Sequence, residues 1–91
     1  MTYAKYPSLD GKHFFVTGGA SGIGRSIVEH LLQQEAFVSY VDVDAASAKT
    51  LIHPNAFFQY CDIRNIDALK QAIQSSRNKF GVFSGLVNNA A

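Results

Sequence analysis

Short apolar runs alternate along this chain with longer stretches whose apolar residues repeat at helical spacing. The first run, Lys12 to Thr17, reads Lys-His-Phe-Phe-Val-Thr. Its aromatic and β-branched residues suit a strand buried on both faces. Glycines from Gly18 to Gly24 break that pattern. From Ile23 to Gln34 the residues Ile23, Ile27, Val28, Leu31 and Leu32 then fall on one helical face, with Arg25, Glu29, Gln33 and Gln34 on the other. Ala36 to Val43 reads as a second strand. A short helix is expected from Asp44 to about Leu51, with Asp44 as its N-cap, ended by His53-Pro54-Asn55. Ala56 to Cys61 is a third strand. Asn65 to Phe80 carries the clearest helical period, with Ile66, Leu69, Ile73 and Phe80 on one face beside Ala72 and Ser76, and Gly81 is its natural C-cap. Val82 to Val87 completes the order β-α-β-α-β-α-β. Right-handed crossovers make this an α/β parallel sheet of order 3-2-1-4 with helices on both faces.

Ninety-one residues allow one domain, and 47% hydrophobic against 16% charged residues exclude a disordered tail. The formal charge is +1 and the basic residues are scattered, so no basic stripe points to nucleic acid or an anionic membrane. No window approaches the ~18 apolar residues of a membrane span, and Met1 to Lys12 holds no signal-peptide core. The single cysteine, Cys61, and three separated histidines offer no disulfide and no metal-ligand spacing. A reducing, cytoplasmic setting is the expectation.

The chemistry lies in Thr17-Gly18-Gly19-Ala20-Ser21-Gly22-Ile23-Gly24, between the first strand and the first helix. In that context Gly18 turns the chain off the strand, Gly22 lets an anion approach the backbone, and Gly24 lets the helix pack close to the sheet. Freed backbone N–H groups and the helix dipole then face a phosphate. No Gly-Lys-Ser/Thr follows, which disfavours a phosphate-loop NTPase.

Asp42 closes the second strand, 18 residues after Gly24. A carboxylate there can accept both hydroxyls of an adenosine ribose and repels a 2′-phosphate. Val41, Val43 and Asp44 flank it, and Ser21 precedes the second glycine, so no cation offsets that repulsion and NAD is favoured over NADP. The alternative for Asp42 is a solvated strand-end carboxylate or helix cap, a role that suits Asp44 better. Asp62, ending the third strand, could meet an adenine amino group or cap the next helix. Cys61 reads as a small buried hydrophobe, and His13 as a packed residue of strand one.

Taken in order, the glycine turn, Asp42, Cys61-Asp62-Ile63 and Leu86-Val87-Asn88-Asn89-Ala90-Ala91 resemble the short-chain dehydrogenase/reductase family across Leu9 to Ala91. The resemblance implies a partial Rossmann fold and an NAD(P)-dependent oxidoreductase acting on an alcohol or sugar CH–OH. It places Gly18, Ser21, Gly22, Ile23 and Gly24 at the pyrophosphate region and Asp42 at the adenosine ribose. Asp62 and the Ile63 backbone would hold adenine, and Asn88 and Ala90 would line the nicotinamide half. The run from Cys61 to Ala91 is most similar to sugar or polyol 1-dehydrogenases within the family.

Three departures stand out. Ala91 replaces the family's usual Gly, and Arg64 stands where a capping Thr or Ser is common, leaving Asn65 to cap. The family's chemistry also needs a Ser and a Tyr-x-x-x-Lys. Here Tyr3, Tyr6, Tyr40 and Tyr60 are followed four residues later by Pro7, Asp10, Asp44 and Arg64. No catalytic residue is assigned. Residues 1–91 are therefore expected to be the N-terminal dinucleotide-binding part of a Rossmann domain, without its catalytic half and inactive alone. A truncated or frameshifted product, one piece of a split enzyme, and a non-catalytic interaction module are the alternatives. An apolar seven-residue edge strand, Gly81 to Val87, predicts self-association or a missing C-terminal half.

Overall fold

The computed structural model describes residues 9–89. Its elements run β1 (His13–Thr17), α1 (Gly22–Gln33), β2 (Phe37–Asp42), α2 (Ala45–Ala48), β3 (Ala56–Tyr60), α3 (Ile66–Phe80) and β4 (Gly85–Asn88). All strand pairs are parallel, and the sheet order is β3-β2-β1-β4, as the crossover argument requires. The register sets Thr17 beside Val41 on one side and Asn88 on the other.

Alternation along the inner strands sorts their side chains onto two cores. Val16, Val38 and Tyr40 pack with Val28, Leu31 and Leu32 of α1. Phe15 and Val41 pack with Cys61 and with Ala72 of α3. Each inner strand is covered on both faces, which is why β1 and β2 read as nearly continuous apolar runs.

α2 is four residues long and stops well short of Leu51. Its cap is as expected, since the Asp44 carboxylate accepts from Ser47 N–H. The Ser47 carbonyl, however, accepts from the Arg25 guanidinium and the Thr50 hydroxyl, and Thr50 N–H also turns back to it. An α-helical continuation has lost that acceptor.

β4 starts at Gly85 rather than Val82. Gly81 ends α3 at φ 89°, and the following residues cross beneath the sheet with Ser84 N–H donating to the His13 carbonyl. Phe83 is drawn inward against the rings of His13 and Phe15. Its hydrophobicity closes the bottom of the sheet instead of extending the edge.

Two apolar stripe residues also point outward. Ile23 and Ile66, each in the first turn of its helix, are 75% and 59% exposed. α3 instead meets the sheet through its small residues Ala72 and Ser76, both buried. The Gln59 side chain bridges the Ala72 carbonyl and the Ser76 hydroxyl at that approach.

Candidate dinucleotide site

The predicted residues gather at the carboxyl ends of the strands, where open α/β sheets hold their ligands. Gly18 follows β1, Asp42 ends β2, Asp62 follows β3 and Asn88 ends β4. Gly18, Asp42, Cys61, Asp62, Ile63 and Arg64 line one cleft of about 230 Å³.

The glycine turn is built as its spacing predicts. Gly22 has φ +60°, and a Cβ there would enter open space, so its backbone faces solvent without obstruction. Gly24 is the opposite case: a Cβ would lie 1.9 Å from the Gly18 carbonyl oxygen. Only hydrogen fits between helix and turn. Ser21 is the N-cap of α1 by backbone geometry, yet its side chain makes no capping hydrogen bond. No acidic residue stands in the first turn. The helix supplies no acidic side chain to its own positive end, which fits a phosphate ligand. Ile23 stands exposed at the same end.

Asp42 is half-buried and held by three backbone donors. Its Oδ2 accepts from Ala20 N–H at 3.1 Å, and its Oδ1 accepts from Val43 N–H at 2.7 Å and Asp44 N–H at 3.1 Å. The first bond fastens the carboxylate to the glycine turn itself. A carboxylate offers about four lone-pair sites, so acceptor capacity remains on Oδ2 for an incoming hydroxyl.

Asp62 does not cap α3. Asn65 does, accepting from Ala68 N–H. The Asp62 carboxylate accepts instead from the Arg64 guanidinium, with Nη2 to Oδ2 at 2.7 Å, and from Arg64 N–H at 3.0 Å. These bonds pull its pKa down to about 2. Asp44 is lowered by its bonds to Ser47. Burial first, and the Asp62 charge second, push the Cys61 thiol up, which disfavours a thiolate nucleophile.

At β4, the Thr17 hydroxyl donates to the Asn88 side-chain oxygen at 3.1 Å. Asn89 N–H donates to that hydroxyl, and the Asn89 side-chain amide donates to the Gly18 carbonyl. Asn88 thus reaches the site's edge, while Ala90 lies outside the described residues. Asn89 and Ala20 stand inside the sequence motifs without an assigned role, and Arg64 appears there only as a departure at a capping position; their contacts are seen only in the structure.

His13 lies at the far end of the sheet. Its Nδ1 is 3.0 Å from the Gly81 carbonyl and its Nε2 is 2.7 Å from the Ser39 hydroxyl. Burial lowers its pKa, against the two backbone hydrogen bonds that raise it. It is a packed residue remote from the cleft. Among the described residues no helix is long and apolar enough to cross a membrane, and no cluster of metal-ligating side chains occurs.

Comparison with known proteins gives the arrangement a family. A family profile described as short chain dehydrogenase matches residues 12–91. The chain belongs to the short-chain dehydrogenase family. A probable galactose dehydrogenase from Rhizobium meliloti (strain 1021) is 37% identical over 95 residues, spanning 97% of this chain and 37% of that protein. The D-xylose 1-dehydrogenase of Caulobacter vibrioides (strain NA1000 / CB15N) is 35% identical over 98 residues, spanning 99% and 37% respectively. Among solved structures, a 3-ketoacyl-(acyl-carrier-protein) reductase from Brucella melitensis complexed with NADH superposes with TM-score 0.85 at 32% identity. The match covers 90% of this chain and 35% of that one. The chain therefore spans about a third of the length of these family members. The family and the NADH-bound neighbour support a nicotinamide dinucleotide as the cofactor class of this fold.

Proposed function

We propose that residues 1–91 form the dinucleotide-binding part of an oxidoreductase that moves hydride between a nicotinamide cofactor and an alcohol or sugar CH–OH. The observation that carries the reading is the Asp42 carboxylate, tied to the glycine turn through Ala20 N–H at the mouth of a cleft shared with Asp62. The backbone around Gly18, Ser21, Gly22, Ile23 and Gly24 would receive the pyrophosphate. Asp42 would accept from the adenosine ribose, Asp62 and the Ile63 backbone would take the adenine, and Asn88 and Ala90 would border the nicotinamide. When bound, that nicotinamide supplies the hydride acceptor or donor.

NAD is the preferred dinucleotide in this reading. A 2′-phosphate would meet the Asp42 carboxylate, while the Arg25 guanidinium is engaged by the Ala20 and Ser47 carbonyls and the Thr50 hydroxyl, and Arg64 by Asp62. The sugar preference is supported by the galactose and xylose dehydrogenases among the relatives. The proton-transfer residues would be supplied by a catalytic half beyond residues 1–91, in the same chain or a separate one. A cytoplasmic setting fits the buried, unpaired Cys61.

Ligand-observed saturation-transfer NMR with NAD and NADP tests the reading. Contacts mapped to the adenosine protons of NAD, and displaced by excess ADP-ribose, are the expected result. No transfer to either dinucleotide would contradict it.

A further inference from the structure

Arg64 lines the cleft beside Asp42 and Asp62. Its bonds to Asp62 are unusually complete for residues two apart. The Asp62 Oδ1 accepts from Arg64 N–H and from Nε, both at 3.0 Å. The Oδ2 accepts from Nη2 at 2.7 Å, with Nε shared at 3.2 Å. Asn65 N–H donates to the Asp62 carbonyl and closes the turn beneath them.

Lone-pair arithmetic gives this pair a consequence. Three N–H donors, with Nε bifurcated and nearer Oδ1, take three of the carboxylate's roughly four acceptor sites and leave one on the Oδ2 side. The Arg64 side chain is 88% exposed and that of Asp62 36%, so the pair adds little to folding stability. Its effect falls on the orientation of a carboxylate that fronts a cleft. A flat base laid over the pair would exclude water and strengthen these hydrogen bonds. We propose that Arg64 is a positioning residue for the nucleotide base: it locks the Asp62 carboxylate so that a single acceptor site on Oδ2 meets the base edge, selecting a base that presents an exocyclic N–H donor over one that lacks it. The inference rests on the dinucleotide reading above.

The test compares NAD with its purine analogue, in which a hydrogen replaces the adenine amino group, and with NADP, by calorimetric titration of the full chain and of Arg64→Ala and Arg64→Lys. The parent should bind NAD roughly tenfold tighter than the analogue, the scale of one hydrogen bond to a charged acceptor. Arg64→Ala should cut that preference to about twofold or less. Arg64→Lys, which keeps charge but loses the planar fork, should fail to restore it. An unchanged preference in both variants, or a parent that binds the two dinucleotides equally, overturns this inference alone. So does a variant that loses NADP affinity and keeps its base preference, which would make Arg64 a phosphate ligand. A parent that binds neither NAD nor NADP overturns the dinucleotide reading and this one with it. Carboxyl NMR supplies a readout without nucleotide: Asp62 should titrate near 2 in the parent and move up in Arg64→Ala. A stationary titration would show that the pair does not orient the carboxylate.

Discussion

Asp42 shows how far a single residue could be read before the structure. Its position after the glycine turn and at the end of a strand predicts a carboxylate at the carboxyl edge of the sheet, and Asp42 lines the cleft there, because parallel strands bring their carboxyl ends together. The three backbone donors that fix it were not legible, since Ala20 N–H meets it only across the β1–β2 register. Arg64 was legible only as a departure, because an Asp-x-Arg pair closes only when the turn between them folds tightly. Asp42→Ala should weaken NAD binding by about 1–3 kcal/mol, the cost of stranding hydrogen-bonding groups. Competitive titration against ADP-ribose measures this. An affinity within twofold of the parent would remove Asp42 from the site. His13 gives a prediction of another kind. Its folded pKa lies below the ordinary 6.5, so the unfolded chain binds the proton more readily. Its contribution to stability is fully present above pH 6.5 and is lost as pH falls through the folded pKa. Ring-proton NMR should place the His13 midpoint below 6.5, and a midpoint at or above that value would contradict the burial argument.

At the scale of elements, the strands and the two long helices follow from periodicity, and the errors cluster at their ends. Phe83 looked like strand because it is aromatic in an apolar run. A ring can equally well close the base of a sheet, and Phe83 does so against His13 and Phe15. Ile66 matched the helical stripe of α3, but the helix approaches β1 and β2 through its small middle residues, leaving its first turn exposed. The small residues are the tight ones. Ala72→Leu should therefore destabilise the fold by roughly 1–3 kcal/mol through overpacking, whereas Ile66→Ser should change stability by less than about 0.5 kcal/mol. Urea unfolding of the two variants checks the contrast. Equal midpoints would show that α3 does not pack as described.

For the whole molecule, the β4 side carries an exposed apolar surface. Leu86 and Val82 are 68% and 73% exposed, and an apolar groove of about 330 Å³ runs between α3 and β4, lined by Phe15, Ile73, Phe83 and Leu86. A four-residue edge is a smaller hazard than the seven-residue strand read from the sequence, yet it is still open and uncharged. We expect the isolated 91-residue chain to self-associate through this edge, with Leu86→Lys shifting it toward monomer in sedimentation velocity. A clean monomer of the parent, melting cooperatively, would contradict that expectation. Purified alone, the chain should also transfer no hydride from any alcohol or sugar, because none of its four tyrosines begins a Tyr-x-x-x-Lys. NADH formation that tracks the protein through purification would refute this. The most direct measurement remains calorimetric titration of the 91-residue chain with NAD and, separately, with NADP. Saturable binding of NAD, tighter than NADP and lost with Asp42→Ala, is the predicted result. NADP binding as tight as NAD, or no heat with either, would contradict the assignment of this cleft.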